Sequence, residues 1–146
     1  MSTTGFDVFD KTLQTTNIWL DEVMETVGPD RKVAWHVLGA VLRTLRDRLP
    51  LGLAAHLGAQ LPLLVRGAYY DQYRVGQNPE RLNTEDEFLT HVTEEFGGIR
   101  PVNVRTATRS VLAVLDRHVA PGLAEKVKAA LPERLRGLWP AVGEVV

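Results

Sequence analysis

Apolar residues recur every three or four positions along most of the chain, which is the spacing of one face of a helix. The first such stripe occupies residues 6–27. Its apolar members are Phe6, Phe9, Leu13, Leu20, Val23, Met24 and Val27. Glycine and proline interrupt the pattern at intervals and divide the rest of the chain into shorter helical segments. Because no stretch alternates with a period of two, we predict an all-α protein without a sheet.

The positions of these glycines and prolines predict eight helices. They cover about 6–27, 29–49, 51–61, 63–73, 84–96, 101–119, 121–131 and 133–139. The second helix is expected to bury Val33, Val37, Val41, Leu45 and either Leu38 or Leu42. Thr84 and Glu87 have the spacing of a capping box, in which each residue bonds to the backbone of the other, so the fifth helix should begin there.

An internal repeat organises these helices into two halves. Val41–Gly67 and Val111–Gly137 are identical at 11 of 27 positions with an offset of 70, and upstream of them an offset of 69 aligns the first helices. Half one covers about 6–73, a linker about 74–83, and half two about 84–140. Four short helices bury little surface alone, so we expect one compact eight-helix bundle spanning 1–146.

Charge is distributed by helix. Residues 1–28, 29–74, 75–99 and 100–146 carry formal charges of −4, +4, −5 and +4. One interpretation is that acidic first helices lie against basic neighbours. Another is a basic face for an acidic partner, built from Arg43, Arg46, Arg66, Arg105, Arg109 and Arg136. The net charge of −1 and the lack of aromatic-interleaved basic stretches do not favour nucleic acid.

Composition narrows the location and the chemistry. The chain has no cysteine, so thiolate sites and disulfides are excluded. The first ten residues lack the pattern of a signal peptide, and the longest uncharged run, 49–65, is shorter than the roughly 20 residues of a membrane helix. We therefore expect a cytoplasmic protein with no membrane association.

Catalytic and metal-binding motifs are scarce. No two of the four histidines have a helical metal-pair spacing, and glycine-rich phosphate loops are absent. Glu87, Glu94 and Glu95 flank His91 and either hold a cation or form a solvated acidic face. Asp47 and Asp116 are expected to pair with neighbouring arginines. We accordingly predict no cofactor, no metal and no catalytic residue, although carboxylate pairs formed by the fold stay open as an enzymatic alternative.

Arg66 and Arg136 stand at matching places in the two halves, each between a proline and a glycine. A structural role, in which each arginine bonds to carbonyl groups or a nearby acid, is one interpretation. The other is anion binding in a cleft between the halves.

The halves differ most in their third and fourth helices. At five aligned positions, half one is uncharged where half two carries Glu125, Lys126, Lys128, Glu133 and Arg134. Uncharged surface of this kind indicates an interface. We expect the interaction surface to contain Ala55, His56, Gly58, Leu63, Leu64 and Tyr70.

Two stretches, AHLGAQLPLLVRGAYYDQY and VLAVLDRHVAPGLAEKVKAALPERLRGLW, resemble the uncharacterised bacterial family called domain of unknown function 2267. The opening FDVFDKTLQTTNIWLDEV is also similar to that family. The resemblance implies a small helical bacterial protein and brings no activity, cofactor or catalytic residue. The leading hypothesis is a non-enzymatic helical interaction module that self-associates or binds a protein partner. A small-molecule or anion-binding protein is the alternative.

Overall fold

The computed structural model describes residues 2–96 and 103–141, and in these ranges it contains helices and no strand. The elements are α1 (Asp7–Val27), α2 (Arg31–Arg48), α3 (Leu51–Ala59), α4 (Leu63–Tyr70), α5 (Glu85–Glu95), α6 (Val104–His118), α7 (Pro121–Ala130) and a 3₁₀ helix (Glu133–Leu138). For the described ranges, the prediction of eight helices without a sheet is confirmed. Within the described part of the chain, no helix has the length and apolarity that a membrane span requires.

Local chemistry sets the helix ends. Gly28 ends α1 with a φ of +108°, a conformation that favours glycine. The Asp30 side chain caps α2 by accepting from two backbone N–H groups, and the Asn103 side chain caps α6 by accepting from the backbone N–H of Thr106. Thr84 and Glu87 form the predicted capping box at the start of α5.

The fourth helix is shorter than predicted. It ends at Tyr70 and not near residue 73, because Asp71 leaves the helical region with a ψ of 127° and Gln72 follows with a φ of +53°. The chain then enters a loop over residues 71–80, and the direction of this loop decides where its polar side chains lie.

Helices α2 and α6 form the centre of the bundle. Helix α2 packs against α1, α3, α4, α5 and α6, and α6 packs against α1, α2, α5, α7 and the 3₁₀ helix. The residues that α2 buries completely include Val37, Leu38, Val41, Leu42 and Leu45, whereas Val33 is only partly buried. One hydrophobic core therefore receives side chains from both halves of the sequence.

Ion pairs join the acidic helices to the basic ones. Arg31 of α2 contacts Asp21 of α1 at 2.9 Å, and Arg105 of α6 contacts Glu85 of α5 at 2.9 Å. Such exposed pairs each contribute about 0–1 kcal/mol, so they orient the helices more than they stabilise them. This arrangement matches the first interpretation of the charge pattern, in which acidic helices lie against basic neighbours.

Candidate functional site

A polar cavity of about 530 Å³ lies between the C-terminal half of α2, the loop 71–80 and α5. All eleven residues that line it are charged or polar. A cavity of this composition suits an ion or a hydrophilic molecule and not an apolar ligand. It lies at one of the places where an element of half one meets an element of half two.

Arg46 holds the loop 71–80 against the end of α2. Its buried guanidinium donates to the carbonyl oxygens of Tyr69 at 2.8 Å and Asp71 at 3.0 Å, and its Nε donates to Asp47 Oδ1 at 2.8 Å. The Tyr73 ring lies 4.6 Å from the guanidinium carbon. These contacts satisfy the buried charge of Arg46 and fix one oxygen of Asp47.

The far end of the loop is also fastened to α2. The Asn78 amide donates to the carbonyl oxygens of Arg46 at 2.7 Å and Leu49 at 2.8 Å, which leaves fewer unsatisfied carbonyls at the helix terminus. The backbone N–H of Glu80 donates to the carbonyl oxygen of Asp47 at 2.8 Å. Glu80 is thereby positioned beside the C-terminal turn of α2.

Asp47, Glu80 and His91 meet in what we call the histidine–carboxylate cluster. His91 Nε2 lies 3.4 Å from Asp47 Oδ2 and 3.4 Å from Glu80 Oε2. The other ring nitrogen, Nδ1, lies 2.9 Å from Thr44 Oγ1, and this hydroxyl is 2.9 Å from the carbonyl oxygen of Ala40. The three donor atoms all lie within 4.8 Å of one another, and all three residues are partly buried.

The electrostatics of the cluster favour positive charge at its centre. The Asp47 carboxylate raises the pKa of His91 above its ordinary value against the opposing effect of burial, and Glu80 and Glu95 reinforce the increase. Burial acts to raise the pKa of Asp47, but His91 and Arg46 outweigh it and hold that pKa below its ordinary value. Asp47 is therefore ionised at neutral pH, and the cluster attracts a proton or another cation.

The nearby cation Arg43 has its own partners. Its Nε lies 2.5 Å from Glu95 Oε1, and its Nη1 donates to the carbonyl oxygen of Ala68 at 3.2 Å. Gly39 leaves the room for this side chain, because an added Cβ would stand 2.8 Å from Arg43 Nη1. The charge of Arg43 is thus directed at Glu95 and the end of α4, and not at the histidine–carboxylate cluster.

The structure corrects the set of cation ligands that the sequence suggested around His91. Glu87 is occupied in the capping box, where its carboxylate accepts from the backbone N–H groups of Asn83 and Thr84. His91 instead faces Asp47 of α2 and Glu80 of the loop. Asp47 does pair with Arg46, as expected, whereas Asp116 accepts from the Trp139 indole at 3.0 Å and contacts Lys128 at 3.2 Å.

A second feature is an exposed apolar surface, the α1–α4 face, made of Phe6, Phe9, Leu13, Leu63 and Leu64. The rings of Phe6 and Phe9 are 4.9 Å apart, and the Leu64 backbone N–H lies 3.4 Å from Thr12 Oγ1, which joins α4 to α1. Phe6 is 54% exposed, Phe9 52%, Leu63 51% and Leu64 41%. Helix periodicity correctly gave one apolar stripe for α1, but the first two turns of that stripe are uncovered.

The predicted interaction residues separate into groups. Leu63 and Leu64 are exposed on the α1–α4 face, and Ala55 is also exposed. His56 is exposed and lines a cavity of about 440 Å³ between α3 and α7. Gly58 is buried and not on the surface, because the partly buried Tyr70 ring lies directly over it; an added Cβ would stand 2.4 Å from the Tyr70 hydroxyl.

Arg66 and Arg136 have different surroundings. Arg66 donates to the carbonyl oxygens of Ala59 at 3.1 Å and Leu61 at 2.9 Å, which caps the end of α3. Arg136 is exposed and lines a cavity of about 340 Å³ beside Trp139. The contacts of Arg66 match the structural interpretation of this residue.

Sequence reasoning missed Glu80 and Thr44. Glu80 lies in the linker, where no periodicity predicts a position in space. Thr44 carried one weak signal, since a threonine within a buried helical stripe needs a partner for its hydroxyl.

Comparison with curated proteins finds no match. A family model described as "Uncharacterized conserved protein (DUF2267)" matches residues 16–138, which is most of the chain, and the protein therefore belongs to this family.

Proposed function

We propose that the protein is a non-enzymatic helical interaction module whose partner is a second copy of the same chain, bound through the α1–α4 face. The observation that carries this proposal is the group of exposed aromatic and leucine side chains on α1 and α4. A group of exposed apolar side chains on two neighbouring helices marks an interface.

The spacing along α1 supports a helix as the covering element. Phe9, Thr16 and Val23 are seven residues apart, as are Leu13, Leu20 and Val27. The later members of both rows face the core, with Val23 fully buried and Leu20 5% exposed, whereas Phe9 and Leu13 extend the same stripe beyond the core. A repeat of seven is the spacing of a helix–helix seam, so the exposed turns are suited to pack against another helix.

The charges at the start of α1 support a second copy of the chain as the source of the covering helix. The first turns of α1 carry Asp7 and Asp10 followed by Lys11, so the flank of the exposed stripe holds both signs. In a two-fold dimer the same surface meets itself, and antiparallel α1 helices place the lysine of one copy near the acids of the other. The net charge of −1 adds little repulsion between copies.

Light scattering on the purified full chain tests the proposal. We expect wild type to have twice the chain mass of 16.2 kDa, and Leu64→Glu and Phe9→Glu to have the mass of one chain, because each places a charge within the apolar contact. Val75→Glu is the matched control, since Val75 is an apolar residue 71% exposed on the loop. A wild-type monomer at about 100 μM, a concentration at which a micromolar dimer would be populated, would contradict the proposal, as would dissociation by Val75→Glu.

A further inference from the structure

We propose that Asp47, Glu80 and His91 form a binding site for a divalent transition-metal ion, with Zn²⁺ as the representative ion. The site is independent of the proposed self-association, because none of these three residues belongs to the α1–α4 face. The inference rests on the spacing of the donor atoms, on the groups that orient them and on the chemical class of the three ligands.

The donor spacing fits one shared ion. His91 Nε2 is equidistant, at 3.4 Å, from Asp47 Oδ2 and Glu80 Oε2. Nitrogen and oxygen ligands lie about 2.1 Å from Zn²⁺, so neighbouring ligands of a tetrahedral site are about 3.4 Å apart. Direct N–H···O hydrogen bonds are shorter, at about 2.7–3.2 Å. These two separations therefore match edges of a coordination sphere better than the length of a direct hydrogen bond, and the two carboxylate oxygens lie within 4.8 Å of each other.

The molecule contains its own comparison for a direct contact. His118 Nε2 lies 2.7 Å from Glu22 Oε2, which is a normal hydrogen-bond length for an imidazole and a carboxylate. His91 has two carboxylate oxygens available and makes no contact of that length with either one. The two histidines thus differ in geometry, and only His91 stands back from its acids by the distance that an intervening ion requires.

Thr44 orients the His91 ring. The Thr44 hydroxyl donates to the Ala40 carbonyl oxygen at 2.9 Å, so its oxygen accepts from His91 Nδ1–H at 2.9 Å. This chain of bonds leaves Nε2 of the neutral ring with its lone pair directed at Asp47 and Glu80. Metal-binding histidines characteristically donate their second N–H to a protein acceptor, which fixes the ring and its tautomer.

The carboxylates are held in place as well. Arg46 binds Asp47 Oδ1 at 2.8 Å and leaves Oδ2 directed at His91. The backbone bond from Glu80 to Asp47 fixes the start of the Glu80 side chain. His91 and Asp47 thus have side-chain contacts that do not use their donor atoms, and Glu80 is fixed at its backbone, which is the preorganisation that a metal site needs.

The donor set selects the class of ion. One imidazole and two carboxylates suit Zn²⁺ and its neighbours in the first transition series, whereas Mg²⁺ and Ca²⁺ prefer oxygen ligands alone. Three protein ligands leave further positions for water or a small anion, and the polar cavity beside the cluster gives access to them. The ligand class is therefore a borderline divalent cation with an open coordination position.

Calorimetric titration of the chelator-treated full chain with Zn²⁺ tests the site. We expect one ion per chain for wild type. Glu80→Gln should weaken binding by about tenfold or more, because it removes the charge of a ligand, and His91→Gln by about 100-fold or more, because it removes the ligand nitrogen. Glu94→Gln is the matched control, since Glu94 lines the same cavity outside the cluster and the change removes the same charge. It should alter the affinity less than about twofold, since screening at the surface is strong.

Three outcomes would overturn the proposal. The first is a wild-type chain that binds no Zn²⁺, because sites of this kind bind Zn²⁺ more tightly than Mn²⁺, Fe²⁺ or Co²⁺. The second is His91→Gln binding as tightly as wild type, which would place the ion at another surface histidine. The third is equal weakening by Glu80→Gln and Glu94→Gln, which would indicate only diffuse attraction by acidic groups. Circular dichroism of each variant checks that it is folded.

Discussion

In two places, a first helix of one half meets a second helix of the other half. The acidic and basic residues are arranged in opposite ways in these two places. The sequence alignment of the halves places Glu22 opposite His91 and Arg117 opposite Asp47. At the α1–α6 junction, one acid, Glu22, stands between two basic residues, Arg117 and His118. In the histidine–carboxylate cluster, one basic residue stands between two acids.

This reversal of charge changes what each of the two places can bind. Each oxygen of Glu22 has its own partner, and the His118 ring stacks on buried Trp19 with centroids 5.1 Å apart, so the α1–α6 junction is complete within the chain. The cluster has one titratable base for two carboxylates and opens onto a polar cavity. A contact between a first helix and a second helix thus forms a closed ion pair in one place and the proposed cation site in the other.

The largest expected effect is metal-dependent stability at the cluster alone. With Zn²⁺ at about 100 times its dissociation constant, the folded state gains about 2.7 kcal/mol, which corresponds to an increase in Tm of about 5–10 °C for a chain of this size. His91→Gln should lose this increase, and a chelator should remove it from wild type. Differential scanning calorimetry with and without the ion measures it. An equal increase in Tm in the His91→Gln variant would show that the stabilisation does not come from the cluster.

An intermediate effect is expected for the group that orients His91. Thr44→Val removes the acceptor for Nδ1–H with almost no change in shape, and we expect Zn²⁺ affinity to fall by about 10–100-fold. Thr108→Val is the matched control, because Thr108 is also fully buried and, among the described residues, its hydroxyl has no hydrogen-bond partner. Calorimetric titration compares the two variants. Equal affinities would show that the Thr44 bond does not orient the ring.

The Thr108→Val control carries an expectation of its own. A buried hydroxyl without a partner costs free energy, so this variant should be more stable than wild type by about 1 kcal/mol. Urea denaturation measures the change. A less stable variant would mean that the hydroxyl makes a stabilising interaction in solution.

The smallest effect is expected at the α1–α6 junction. Glu22→Gln should lower the free energy of unfolding by about 1 kcal/mol or less, because Arg117 is well exposed to screening solvent. The loss should shrink in about 1 M salt, where the Debye length is about 3 Å. Urea denaturation at two salt concentrations measures it. A large change in Zn²⁺ affinity in this variant would instead place the ion at the α1–α6 junction and reverse the assignment of the two places.

The helices could be predicted because their signals are local. The Thr84 capping box, Gly28 and the apolar spacing of α2 each act within a few residues of themselves. Periodicity also gave the apolar stripe of α1. It could not predict that Phe9 and Leu13 stay exposed, because their burial depends on which other elements pack over the first turns of α1.

The candidate site could not be predicted because its parts are joined by contacts between distant residues. The sequence predicts Asp47 as an arginine partner, and it leaves His91 either as a cation ligand with its flanking glutamates or as part of a solvated helix face. Only the loop, turned by Gln72 and fastened by Asn78, brings Glu80 beside both. No spacing rule covers three ligands that come from a helix end, a linker and another helix.

Arg46 holds the loop through carbonyl oxygens and Asn78 attaches it to α2 through others, so these fastenings depend little on the side chains between them. Gln72, Arg74 and Gln77 line the cavity on this loop. Replacing them would therefore alter which molecules the cavity admits while Glu80 keeps its place. The loop thus keeps the residues that line the cavity apart from the contacts that position Glu80, so substitutions at these three positions should leave the cluster intact.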